Sequence, residues 1–193
     1  MRGLCIRELT GDDAGDFRNL RLRALKEHPD AFGSSYEAEY AAPIETAAER
    51  LRLNAESQDS FTLGAYRGAE LVGMVGFYQE SREKTRHRGT IWGMYIPSEE
   101  QGKGIGRALL GRALEFARGL PGLEQVELQV VTRNRRAKGL YASFGFATYG
   151  TEPRALYVDG EYLDEEHMVL FVPPSPQPSP IEGEGEEWYR PVR

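Results

Sequence analysis

The clearest pattern of apolar and polar positions runs from Gly89 to Ala117. Thr90 to Ile96 is a short apolar run rich in branched and aromatic side chains, the signature of a mostly buried strand. Pro97 ends it, having no N–H to offer a ladder. Polar residues Ser98 to Gln101 follow, then glycines at alternate positions, Gly102, Gly104 and Gly106. Beyond them Ile105, Ala108, Leu109, Ala113, Phe116 and Ala117 recur at helical spacing. The unit is a strand, a glycine-rich turn and a helix.

The chain before this unit carries weaker patterns. Leu4 to Leu9 predicts a first strand, with Cys5 as a small core residue. Thr10, Asp12 and Asp13 cap a helix whose apolar face is Ala14, Phe17, Leu20, Ala24 and Leu25. That helix stops before Pro29, because the residue preceding a proline avoids the helical region. Asp30 to Ala42 has no regular period and is predicted to be irregular. Ile44 to Asn54 predicts a second helix burying Ile44, Ala47, Ala48 and Leu51. Phe61–Arg67 and Glu70–Gln79 predict two strands joined at Gly68 and Ala69, with Gly73 and Gly76 marking a bulge or close packing. The charged stretch Ser81 to Arg88 is a solvated hairpin loop, with His87 at the surface; attracting a ligand's outer phosphates is its functional alternative.

After the glycine helix, Gly119 to Gly122 breaks the chain and Gln125 to Val131 is a strand. Asn134 caps a short helix with Ala137, Leu140, Tyr141 and Phe144 on one face, ending at Gly145. Phe146 to Tyr149 resumes as a strand, Asp159-Gly160 signals a hairpin, and His167 to Val172 is the last strand. The order gives an α/β (α+β) fold in which three antiparallel strands precede the glycine turn. A dinucleotide-binding domain would instead place its glycine loop after the first strand of a parallel sheet.

Composition narrows the function. A chain of 193 residues supports one sizeable core. The net charge of −6 argues against nucleic acid as a partner and permits a cationic acceptor. One cysteine excludes an internal disulfide framework and a cysteine-based zinc site, and no metal is expected. No apolar run reaches transmembrane length and no signal-peptide core is present, so a soluble cytoplasmic protein with no membrane partner is expected.

The glycine turn carries the candidate chemistry. The first N–H groups of a helix have no intrahelical partner and the helix dipole adds positive potential there, so an anionic phosphate fits. Glycine lets it approach the backbone closely. A Walker loop is excluded, since no Lys-Ser or Lys-Thr pair follows. In a dinucleotide fingerprint the third glycine would be Arg107 or Leu109, although Glu127 is placed to mimic the ribose-binding acid. A structural turn without a ligand is the plainest alternative.

Two blocks resemble one family. Gln101-Gly102-Lys103-Gly104-Ile105-Gly106 matches the [QR]-x-x-G-x-[GA] signature of the GCN5-related N-acetyltransferases (GNATs). Asn134-x-x-Ala137-x-x-Leu140-Tyr141-x-x-x-Gly145-Phe146 is similar to that family's second block. The resemblance spans about Leu4 to Val172. It implies a mixed, mostly antiparallel sheet splayed between its fourth and fifth strands and flanked by helices. It also implies acetyl-CoA as donor and direct transfer to a primary amine, on a small molecule or a peptide N-terminus. On this resemblance Met94 and Ile96 pair with pantetheine, the backbone from Gly102 through Lys103, Gly104, Ile105 and Gly106 to Arg107 holds the pyrophosphate, Asn134 contacts the pantetheine arm, and Tyr141 is the general acid toward the sulfur.

The base is left open. Some relatives carry a glutamate early in the fourth strand, where this chain has Thr90. Glu37 and Glu39, in the irregular segment with Phe32, Tyr36 and Tyr40, are candidates, and Glu127 is a third. The missing carboxylate keeps an acyl-CoA-binding module without turnover as the alternative. Residues 1–172 are assigned to the acetyltransferase domain. Residues 173–193 form a Pro-, Gly- and Glu-rich tail expected to be extended or disordered, whose Trp188 and Tyr189 can dock on a groove or a neighbouring subunit, leaving a homodimer open.

Overall fold

The computed structural model describes residues 3–172, so the expectations for the tail, Trp188 and Tyr189 included, lie outside the described residues. Seven strands form one sheet in the order β1-β2-β3-β4-β5-β7-β6. They are β1 (Leu4–Glu8), β2 (Ser60–Arg67), β3 (Glu70–Gln79), β4 (Arg88–Tyr95), β5 (Gln125–Val131), β6 (Ala147–Val158) and β7 (Glu161–Phe171). All neighbours are antiparallel except β4 and β5, which pair in parallel only from Arg88 to Thr90 against Gln125 to Glu127. Past Thr90 the two strands part.

Among the described residues five α-helices accompany the sheet: α1 (Ala14–Glu27), α2 (Tyr36–Ala41), α3 (Ile44–Glu56), α4 (Ile105–Arg118) and α5 (Arg135–Ala142). One core joins Leu109, Leu110, Ala113 and Leu114 of α4 to Leu63, Val75, Phe77, Val126 and Leu128 of the sheet. A second joins Phe17, Leu20 and Ala24 of α1 and Leu51 of α3 to Leu71, Met74 and Tyr95. Helix α1 enters through Asp13, whose carboxylate accepts from the Thr10 N–H at 2.9 Å and pairs with Arg7 at 2.6 Å.

Both expectations for β3 are met. A Cβ on Gly76 would stand 2.1 Å from the Trp92 ring, and one on Gly73 2.7 Å from Ile96. The register with β2 slips between Ala65 and Tyr66. A second irregularity, in β4, was not foreseen: the register slips between Met74 and Gly76 of β3, opposite Tyr95 and Trp92, and Gly93 there has φ +63°.

Several expectations are corrected. Asp30 to Ala42 is not irregular throughout: a 3-10 turn, Pro29–Ala31, leads to α2, whose N-cap Ser35 accepts from the Ala38 N–H at 3.2 Å. Six residues are too few to show a period. Ile44 is exposed at the start of α3, which buries Leu51 and half-buries Ala47 and Ala48. Cys5 is exposed, because alternation along β1 puts it on the face opposite Leu4 and Ile6, which pack on the core. Strands β6 and β7 extend far beyond Phe146–Tyr149 and His167–Val172. Most of β6 is exposed on both faces, so it shows no alternation. Arg88 belongs to β4 rather than to the charged loop. That loop sits at the start of β4, some 25 Å of strand away from the glycine turn, and does not serve the same ligand.

Candidate active site

A cavity of about 550 Å³ opens where β4 and β5 part. Its floor is the end of β4, with Met94, Tyr95 and Ile96. The glycine turn contributes Gln101, Gly102, Gly104, Ile105, Gly106 and Arg107. The turn before α5 and α5 itself add Asn134, Ala137, Leu140 and Tyr141. A smaller void of about 90 Å³ continues between the strands, lined by Phe32, Trp92, Gly93, Gln129, Asn134 and Tyr141. Of the residues the sequence assigned to donor binding, only Lys103 has no part in the cavity lining: its side chain is exposed and its Nζ pairs with Glu100 at 3.0 Å.

The turn is built to present backbone amides. Gly102 and Gly104 have φ +78° and +81°, the left-handed region that L side chains avoid. The first helical bond runs from the Ala108 N–H to the Gly104 carbonyl, so the amides from Gly102 to Arg107 donate to no acceptor among the described residues. No acid stands in the first turn of α4 to compete for them. A Cβ on Gly102 would meet nothing within 4 Å, which leaves the outer side of the turn open. Gln101 fixes the turn from behind, donating to the Ile96 carbonyl at 2.9 Å and accepting from Arg136. An anion with several acceptor oxygens, such as a pyrophosphate, fits this row.

Asn134 spends one end of its amide on α5, its Oδ1 accepting from the Ala137 N–H at 3.1 Å, and its Nδ2 donates to no acceptor among the described residues. Tyr141 is 8% exposed, packed edge-on to Phe146 at 6.0 Å. Burial pushes its hydroxyl up to about 12, so it stays protonated throughout the neutral range.

The three candidate carboxylates are not brought to Tyr141. Glu37 is exposed on α2 and faces a separate groove of about 770 Å³ beside the end of β6, Ala155 to Val158, and Asp159 of the following turn, which shares only Phe32 with the main cavity. Glu39 stands between Arg21 and Arg50 at 3.7 and 3.8 Å. Glu127 is bound by Arg88 and Gln125, each at 2.6 Å. Burial alone would raise its carboxyl, but those two partners hold it below the usual range. Sequence reasoning also missed groups that do line the cavity: His28, Asp30, Arg133 and Arg136. Arg133 pairs with Asp30 at 3.0 Å and with Glu161 at 3.2 Å, tying the segment after α1 to the β6–β7 hairpin. The run of arginines on either side of Asn134 was the available signal. His28 and Asp30 become neighbours of the site only through tertiary folding.

Comparison with known proteins agrees with this geometry. Residues 23–146 match the model of the Acetyltransferase (GNAT) family. The spermidine N(1)-acetyltransferase of Vibrio cholerae is 32% identical over 44% of this chain and 49% of its own. The N-alpha-acetyltransferase RimI of Mycobacterium tuberculosis is 38% identical over 51% of this chain and 59% of its own. The chain thus spans about half the length of these two relatives. The solved acetyltransferase of the GNAT family from Streptococcus pneumoniae superposes with a TM-score of 0.80 at 27% identity, covering 88% of this chain and 99% of that one.

Proposed function

Because this chain belongs to the GNAT acetyltransferase family, we propose that it transfers an acetyl group from acetyl-CoA to a primary amine, on a small molecule or a peptide N-terminus. The observation that carries the reading is the row of unpaired amides from Gly102 to Arg107 opening into the cavity that Tyr141 closes. These amides hold the pyrophosphate, helped by the dipole of α4 and by the guanidinium groups of Arg107 and Arg136 at the rim. Met94 and Ile96, beyond the point where β4 leaves β5, offer backbone groups to pantetheine, and Asn134 offers its Nδ2. Bound in this way, acetyl-CoA supplies an activated acyl group at the splay.

Tyr141 offers its O–H to the sulfur as the thiolate departs. With the hydroxyl near 12 and a thiol near about 8.5, complete proton transfer would be uphill by about 5 kcal/mol. The residue therefore acts as a hydrogen-bond donor that stabilises the thiolate, not as a full acid. The two relatives acetylate, by their names, a polyamine and an N-terminal α-amine, so the acceptor shares only the amine. A soluble, cytoplasmic setting supports such substrates, and among the described residues no helix is long and apolar enough to cross a membrane.

Calorimetric titration with acetyl-CoA, NADH and ATP tests the donor, and thiol release with spermidine and an alanine-terminated peptide tests transfer. Binding of acetyl-CoA alone followed by amine-dependent release is expected. Binding of acetyl-CoA with no release from any amine would leave the binding module without turnover as the better reading.

A further inference from the structure

A buried cation with unused donors lies beside the point where β4 and β5 part. Arg21 of α1 is 6% exposed, and its Nε and Nη1 have no hydrogen-bond partner. Glu39 Oε1, at 3.7 Å from Nε, lies outside hydrogen-bond reach and is shared with Arg50. Arg18, on the next turn of α1 and lining the same small pocket, has a buried Nε without a partner as well. Two guanidinium groups, of Arg21 and Arg50, therefore face one carboxylate, while Arg18 donates through Nη2 to the Tyr40 and Ala42 carbonyls, and positive charge is in excess in the pocket. Buried donors that lack acceptors are costly, and folded proteins seldom keep them without use.

Arg21 is also aimed. Its guanidinium stacks on the Phe32 ring at 4.8 Å, and that ring lines both the main cavity and the void between the strands. On its other side Nη1 is the nearest atom, at 3.9 Å, to where a Cβ on Gly93 would stand. Gly93 occupies the β4 irregularity at φ +63° and lines the same void as Tyr141. Arg21 itself lines neither the cavity nor the void; it reaches them through Phe32 and Gly93, the two residues of the void that it touches.

We propose that Arg21 receives an anionic group of the acceptor, and that the acceptor is an amine carrying a carboxylate, of the amino-acid class. The inference rests on the acetyl-transfer reading and names the substrate of that site. A carboxylate seated over Gly93 accepts a charge-assisted bond from Nη1. An amine one carbon away then lies in the void that Tyr141 lines. Any side chain at position 93 would stand between the two. Glu39, 3.7 Å from Nε, keeps the guanidinium oriented without engaging Nη1, the atom next to Gly93.

Thiol release from acetyl-CoA is measured with L-amino acids, their carboxamides and the matching decarboxylated amines as paired acceptors. The best carboxylate acceptor should exceed its carboxamide by about ten-fold or more in kcat/KM, because a site built for the group is left unpaired without it. Arg21→Met should erase that ratio by raising KM for the carboxylate, with acetyl-CoA binding by calorimetry intact. Arg21→Lys, which keeps the charge, should retain part of the preference. Equal rates for carboxylates and carboxamides in the wild-type protein, or a ratio that survives in Arg21→Met, would overturn the inference while acetyl transfer stands. If Arg21→Met does not fold, the wild-type ratio and Arg21→Lys decide, and an unchanged carboxylate KM in the latter counts against it. Acetyl-CoA binding with no acceptor of any class consumed would remove the transfer reading and this inference with it.

Discussion

Tyr141 is enclosed by protein, and burial alone raises its hydroxyl. Replacing it with Phe removes one hydrogen bond to a developing charge, worth about 1.5–3 kcal/mol, and little packing. The expected result is a kcat lower by about 10- to 100-fold with KM for acetyl-CoA nearly unchanged; steady-state rates that do not fall would remove Tyr141 from the chemistry. Gly104 is the complementary case, since its φ of +81° and its place in the amide row both require glycine. Gly104→Val should cost about 1–2 kcal/mol in strain and turn the row away from its ligand, so acetyl-CoA affinity measured by calorimetry should drop by at least about ten-fold. Unaltered affinity would show that the phosphates bind elsewhere. Both residues were visible in the sequence, because each sits in a local spacing. Arg21 belongs to no such motif, although a helical wheel places it inside the apolar face of α1, four residues after Phe17 and three before Ala24; the packing of Phe32 and Gly93 against it shows that the charge there is buried.

At the level of elements, the parallel pairing of β4 with β5 is short, and Arg88 with Glu127 reinforces it across the seam. Glu127→Gln should therefore destabilise the fold by about 1–2 kcal/mol, a value discounted because Arg88 is partly exposed, while thiol release at saturating amine persists. A loss of turnover beyond about ten-fold in a folded Glu127→Gln protein would restore Glu127 as the base. The pair also has a pH signature. The Glu127 carboxyl is held below its usual range in the folded protein, so its contribution is present above the unfolded value of about 4.3 and is lost as pH falls below it. Glu127→Gln should show a shallower acid loss in denaturant midpoint than the wild type. The elements themselves were unequally legible. β2 to β5, α1, α4 and α5 announced themselves through period, caps and glycines. β6 and β7 were legible only at the core-facing ends and the Asp159-Gly160 turn, because most of β6, the edge strand, is wet on both faces and needs no alternation, and α2 was not, because its helicity rests on one serine cap. The surroundings of the candidate carboxylates were not legible for a related reason: alternation assigns a face to Glu127 but cannot say that Arg88 pairs with it there.

For the molecule as a whole, two cores share one sheet, and buried phenols stand at critical points of both. Tyr66 donates to Asp13 at 3.0 Å and Tyr95 to Glu27 at 2.6 Å, so the two ends of α1 are tied to the sheet through tyrosine hydroxyls. Tyr141 belongs to the other core. Burial, with the adjacent carboxylate added for the first two, raises all three, Tyr66 and Tyr141 to about 12 and Tyr95 further still. A group whose folded value lies above its unfolded one contributes stability that is complete below the unfolded pKa, about 10 for a phenol, and lost as pH rises through the folded value. For Tyr141, buried at 8% exposure, the gap is worth about 3 kcal/mol. The protein should accordingly hold its denaturant midpoint up to about pH 9 and lose it steeply between about pH 10 and pH 12. Over that range the ultraviolet signal of tyrosinate should rise in two stages, with the buried Tyr66, Tyr95 and Tyr141 contributing only to the second, as the protein unfolds. Tyr141→Phe should blunt the loss. A single-stage titration complete before unfolding would mean that the three hydroxyls are open to water, and that neither the anchoring of α1 nor the closed end of the cavity is as described.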